Sequence, residues 1–216
     1  MKGDLAERVA GALGILLVTV ALVVIWIARL GVPRDVYVSE LGAQGMPTAP
    51  AFMIALLLIV AGGALVGFAG RAVRSRPPVL RVWRPAVSLW VACAFFLVAS
   101  QVTCTAGCPL PVGATFTWQD LVHTTCAVLA FAAACWAMLQ CSFAVGHPLL
   151  ARVSLAASLA VAAVAGAGGI LSLARWQTGL GGRLELVATT VAIGWTVAFG
   201  AFLVLRRRRP VVVGAP

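Results

Sequence analysis

The sequence predicts an all-α, polytopic membrane protein: one integral membrane domain over residues 1–216, a six-transmembrane-helix bundle with both termini cytoplasmic. Three observations carry this. Hydrophobic residues make up 62% of the chain and charged ones 10%, with a mean hydropathy of +1.05, which is not the composition of a soluble domain. Apolar runs of about 20 residues recur between polar or breaker residues, the length a helix needs to cross a bilayer. The basic residues sit at the ends of those runs. In hydrocarbon each backbone group must be paired within its own segment, so the runs read as helices, and the short alternating strands of a barrel are not seen.

The predicted spans are 9–30, 51–70, 85–103, 119–145, 153–174 and 184–205. The first comes after MKGDLAER; it is too long for a signal-peptide core and lacks an A-x-A-like cleavage site, so it reads as a retained helix. The second contains Gly63-x-x-x-Gly67 and the fifth AAVAGAGG. Small residues let helices approach closely in a bilayer, so both faces are expected inside the bundle, unless they only mirror an alanine- and glycine-rich composition. The last span ends in RRRRPVVVGAP, an inside stop signal.

Direction is set by the 16 lysines and arginines, which give a formal +10 against 6 acids. With a cytoplasmic N-terminus, the inner segments carry 12 of those 16: Lys2, Arg8, Arg71, Arg74, Arg76, Arg81, Arg84, Arg152 and arginines 206–209. The outer segments carry the other 4: Arg29, Arg34, Arg175 and Arg183. That split places both termini inside, in a plasma membrane. Without an aromatic-basic stripe the charge reads as a topology signal facing anionic lipid headgroups, and no nucleic-acid partner is expected.

In this orientation helices two, four and six all begin at the outer face. Four of the 6 acids fall there, Asp35, Glu40, Asp120 and Glu185, with His123 and Arg183. Asp120 and His123 are three apart and share a helix face. First-turn carboxylates are also favoured by capping and the helix dipole, and Thr117-x-x-Asp120 resembles a capping box. His123 lies one turn deeper, where an ionisable group usually faces a cavity or a partner. The sharper expectation is an outward-facing pocket of Glu40, Asp120, His123, Arg183 and Glu185 at three helix N-termini, suited to an anionic headgroup. Gly42, Gly45 and Pro47 permit turns that would aim Glu40 at the starts of helices four and six. Trp118 and Trp176 read as interface anchors beside it. Nothing comparable is visible in the inner halves of the spans.

Cys93, Cys126, Cys135 and Cys141 read as small packing residues within spans. Cys104 and Cys108 share the second outer loop; a disulfide there requires a backbone turn, and a redox-active pair is the alternative. His123 and His147 lie at opposite ends of helix four, roughly 36 Å apart, too far to share a haem. No metal ligand set, P-loop, Rossmann glycine pattern or G-x-S-x-G is present, and no cofactor is expected.

The stretch YVSELGAQGMPTAPAF, the histidine of DLVHTTCAVLAF and the GLGGRLELVATTVAIGW start of helix six resemble the bacterial domain-of-unknown-function 998 family. That family is distantly similar to the Frag/DRAM/Sfk membrane proteins. The resemblance implies a six-helix membrane protein and puts Tyr37, Ser39, Glu40, Gly42, Pro47, His123, Arg183 and Trp195 at motif positions. It implies no established reaction and a role in lipid organisation or remodelling. The Cys104/Cys108 pair departs from its pattern.

Three functions are weighed on these residues. The first is binding of a lipid or small amphiphile through Tyr37, Ser39, Glu40, Asp120, His123, Arg183 and Glu185, without catalysis. The second is an intramembrane enzyme on a lipid or polyprenyl substrate at the outer leaflet, with His123 as base, Asp120 orienting it, and Glu40 or Glu185 as acid. The third is a proton-coupled carrier, against which stands the want of a titratable group at mid-membrane.

Overall fold

In a computed structural model the described residues are 2–205, with side chains from Leu5 onward, Thr115 excepted. The arginine run 206–209 lies outside them. Among the described residues there are six α-helices: α1 Lys2–Leu30, α2 Ala49–Ala69, α3 Pro85–Gln101, α4 Trp118–Ser142, α5 Pro148–Leu173 and α6 Thr178–Leu205. Five of them are long and apolar enough to cross a membrane. The exception is α3, whose 17 residues reach roughly 25 Å. Among the described residues there is no strand beyond one isolated bridge, Ser75 to Ala144.

The boundaries differ from the predicted spans for local reasons. Helix α5 starts at Pro148 rather than 153, because proline is preorganised for a first helical turn. Helix α4 stops at Ser142, three residues short of 145, because the chain beyond leaves the helix to pair with the α2–α3 connection. Val145 N–H donates to the Arg74 carbonyl and Arg76 N–H to that of Phe143. Helix α6 begins at Thr178, six residues early, and takes in the GLGGR stretch.

The helices pack in sequence order, and α6 returns against α1 to close a six-membered ring. One end of the ring, the loop end, holds the starts of α2, α4 and α6 and the long connections 31–48 and 102–117. The other, the arginine end, holds residues 70–84.

The small residues of α2 do separate jobs. A methyl on Gly62 would come within 2.8 Å of the Gly14 carbonyl, and one on Gly14 within 2.8 Å of the Gly62 carbonyl, so α1 and α2 cross backbone to backbone. Gly63 and Gly67 instead receive Cys93 and Trp90 of α3. The α5 run is different: Gly166 and Gly169 face nothing within 4 Å, and Gly168 alone meets α6, at ordinary contact. On α5, Gly166 and Gly169 therefore reflect composition rather than packing.

Two apolar clusters fill the ring. One joins Val18, Ile25, Phe52, Leu56 and Ile193 to Val36, Val38 and Leu41 of the first connection, so this loop is part of the core. The other, toward the arginine end, is built around Met138, Val161, Trp195 and Phe199. Trp195 stacks on Phe199 at 5.3 Å and donates its indole N–H to Ser154 Oγ at 2.9 Å, tying α6 to α5.

Candidate functional site

At the loop end the segment 35–47 is fastened to α6. Asp35 accepts from Arg29 Nη2 at 2.9 Å and from Arg183 Nη2 at 2.8 Å and Nε at 3.2 Å. The Arg183 hydrogen bonds, with charge from both arginines, hold the Asp35 carboxyl below its ordinary range. Glu185 accepts the backbone N–H of Val38 at 2.7 Å and of Ser39 at 3.4 Å. Between these anchors the glycines of α6 give the loop a seat. A methyl at 181 would stand 2.7 Å from the Tyr37 hydroxyl, and one at 182 would collide with the Val36 carbonyl. The Gly-Leu-Gly-Gly-Arg pattern is thus the imprint of a backbone lying on a helix. The Tyr37 hydroxyl is buried there without a hydrogen-bond partner among the described residues.

Glu40 is 6% exposed and pairs with Arg34 at 2.7 Å, within its own loop. The turn Ser39–Gly42 is a 3-10 helix that buries Leu41, and among the described residues the carboxylate is engaged by Arg34 rather than by a side chain at the start of α4 or α6. Asp120 is fully buried: it accepts from Thr105 N–H and Oγ1, both at 2.8 Å, and from Thr117 Oγ1 at 2.6 Å. Its own N–H donates to Thr117 Oγ1 at 3.0 Å, so Thr117 caps α4 while the Asp120 carboxylate holds down the connection before it. His123 Nδ1 lies 3.1 Å from the Ala99 carbonyl and 2.7 Å from that of Val102. Carbonyls only accept, so Nδ1 carries the proton and Nε2 is the nitrogen left for other work.

The sequence-predicted residues therefore share one end of the bundle without bonding to each other. Among the described residues no hydrogen bond or ion pair links Glu40, Asp120, His123, Arg183 and Glu185 to one another. Ser39 and Tyr37 lie in the loop that Arg183 and Glu185 secure, and Trp118 and Trp176 project from the same end, 74% and 61% exposed.

Cys104 and Cys108 are joined by a disulfide. The turn that closes it uses left-handed backbone at Gly107 (φ 80°) and Cys108 (φ 46°), with Cys108 N–H on the Thr105 carbonyl. Cys104 also receives the Gln44 N–H on its carbonyl at 3.0 Å, so the two long connections are tied together. A ring nitrogen of His123 and the two sulfurs lie within 4.8 Å of one another. A metal would require the two thiolates, which the disulfide removes.

Behind this end a narrow crevice of about 90 Å³ runs between α1, α2, α3, α4 and α6. Ser39, His123 and Glu185 line its polar end, and Phe131, Ala134 and Thr196 are among the residues that line it farther in. From Glu185 to Thr196 along α6 is roughly 16 Å, about half a hydrocarbon core.

Sequence reasoning missed a second polar centre, at the arginine end. Gln140, 1% exposed, donates to the carbonyls of Leu80 (2.9 Å) and Trp83 (2.8 Å) and accepts from Ser88 Oγ (2.7 Å). Ser88 Oγ takes the Trp83 indole N–H at 2.8 Å, and Ser75 Oγ donates to the Gln140 carbonyl at 2.7 Å. The signal available was a single amide in the apolar run AMLQCSF, where it must find partners inside the protein.

Compared with known proteins, the chain matches no family model, no curated protein and no solved structure.

Proposed function

We propose that this is a six-span plasma-membrane protein, both termini cytoplasmic, that binds or organises a lipid or small amphiphile without transforming it. The reading rests on one observation: the crevice is mostly apolar, with Thr189 and Thr196 among its lining farther in, while His123 and Glu185 stand beside Ser39 at one end. That division matches an amphiphile with a slender apolar chain and a hydrogen-bonding head. The loop 35–47, secured by Asp35 and Glu185, forms the head-side wall. The orientation is supported by the cluster of arginines at the opposite end. The contacts at the loop end favour binding over the catalytic alternative. His123 is oriented by two carbonyls and Asp120 by two threonines, so neither is committed to the other as base and orienter.

The test is native mass spectrometry of the protein extracted gently from its membrane, with Ala127→Leu and Ala192→Leu variants that narrow the crevice. The parent should retain a single-chain amphiphile, and both variants should lose most of it while keeping their melting temperature. A parent that carries no such molecule, or variants that carry it undiminished, would sink the reading.

A further inference from the structure

The arginine end holds a second cavity, far larger, that the crevice does not reach. It is a cleft of about 840 Å³, within the usual range for a ligand site, along the α2–α3 connection. Arg71, Arg74, Arg76, Arg81 and Arg84 line it, and Trp83 and Trp90 stand among them.

Three features separate this cleft from a solvated basic surface. First, the charge is uncompensated. Arg71 pairs with Glu7 at 3.0 Å, while Arg74, Arg76, Arg81 and Arg84 have no carboxylate within ion-pair distance among the described residues. Four like charges facing one cavity repel, and the arrangement is relieved by a counter-charge from outside the chain. Second, the arginines are carried on a fixed frame. Gln140 holds the carbonyls of Leu80 and Trp83, and the Ser75 and Arg76 backbone is bridged to Ala144 and Phe143. Arg84 Nη1 donates to the Arg71 carbonyl at 2.9 Å, and Arg71 lies over the Phe68 ring at 4.1 Å. Third, Arg71 Nη1 is buried in this frame without a hydrogen-bond partner among the described residues, one more guanidinium donor beside the cleft that the chain leaves unanswered. Guanidinium groups present paired N–H donors that match phosphate oxygens, and Val82, Val87 and Trp90 give the cleft an apolar flank.

We propose that this cleft binds a phosphate group carrying more than one negative charge, a phosphomonoester or diphosphate, borne on a lipid or free in solution. A phosphodiester offers a single charge and leaves most of the four unpaired cations unanswered. The site is independent of the crevice and of the loop end, and it stands whether or not the crevice holds an amphiphile.

The experiment uses the full chain in phosphatidylcholine nanodiscs with three probes. Phosphatidic acid at a few mole per cent supplies a lipid monoester, phosphatidylglycerol a lipid diester, and inorganic pyrophosphate a free diphosphate. Lipid retention is read by native mass spectrometry and pyrophosphate binding by calorimetry. Phosphatidic acid should be retained at least about tenfold over phosphatidylglycerol, or pyrophosphate should bind in discs free of acidic lipid; the first result names a lipid source and the second a soluble one. Replacing Arg74, Arg76 and Arg81 together by lysine keeps the charge but loses the forked donors, and should weaken binding by about tenfold or more. Arg152→Ala removes a charge from the same end outside the cleft and should leave binding unchanged. Thermal melting confirms that each variant is folded, which these exposed side chains favour. Three outcomes overturn the proposal: neither probe bound above phosphatidylglycerol, a lysine triple variant that binds like the parent, or Arg152→Ala costing as much as Arg81→Ala.

Discussion

Asp35 accepts from two guanidinium groups, one on α1 and one on α6, and so closes the ring at the loop end. Its carboxyl is held below its ordinary range by the Arg183 hydrogen bonds, so its contribution is complete above the ordinary carboxylate value and fades as pH falls through the lowered one. Acid melting should therefore reach its steep part only below the ordinary aspartate range, and Asp35→Asn should flatten that part. Thermal melts of parent and variant between pH 7 and pH 2 check it. Glu185 is the other anchor, with two loop N–H groups on one carboxylate. Glu185→Ala strands both donors and should cost about 1–3 kcal/mol, and Glu185→Gln less because one acceptor oxygen remains. An equal loss in the two variants would argue against the anchoring role. Gln140 is legible in the sequence only as an oddity, since its partners all come from residues 75–88. Gln140→Leu should cost at least about 2 kcal/mol and speed tryptic cleavage at Arg74 and Arg81, read by mass mapping of the nicked chain.

At the scale of elements, the helices could be read from length and polarity, while their ends and faces could not. The predicted span 184–205 leaves the GLGGR stretch just ahead of it, yet the stretch is fully helical, its glycines seating a neighbouring backbone despite their low helix propensity. Gly181→Ala should accordingly destabilise by about 1–3 kcal/mol, the range for overpacking, because the Tyr37 ring is wedged above it. Gly166→Ala on α5, with nothing within 4 Å, should be neutral or stabilising by up to about 1 kcal/mol. Paired melts of these two variants test whether small residues on α5 and α6 have different causes. In α2 the motif spacing of Gly63 and Gly67 was visible, but that Gly62 makes the backbone crossing with Gly14 was not. Adjacent glycines differ by about 100° around a helix, and only the neighbours decide which one is used.

For the whole molecule, the arginine asymmetry predicts that the 70–84 connection is cytoplasmic and the 102–117 connection external. Single-cysteine labelling checks this: Val79→Cys should react only after the membrane is permeabilised and Val112→Cys from outside, and the reverse pattern would invert the topology. The sequence by itself determined the features that solvent imposes. Secondary structure is helical because hydrocarbon leaves backbone groups no other partner. Asp35, Asp120, His123, Arg183 and Glu185 gather at one end because alternate helices start there. The 35–47 stretch was also visible as unusual. Only the tertiary structure decided what these groups do. Each acid is taken up by a separate clasp, and Glu40 turns to Arg34. Cys104 meets Cys108 through a left-handed turn, and the arginines of the 70–84 connection converge on one cleft. Those outcomes depend on distances of about 3–4 Å between groups, many of them far apart in sequence. Polarity and spacing along one chain bring such groups to the same level of a bilayer, and the packing of neighbouring helices then selects the partners.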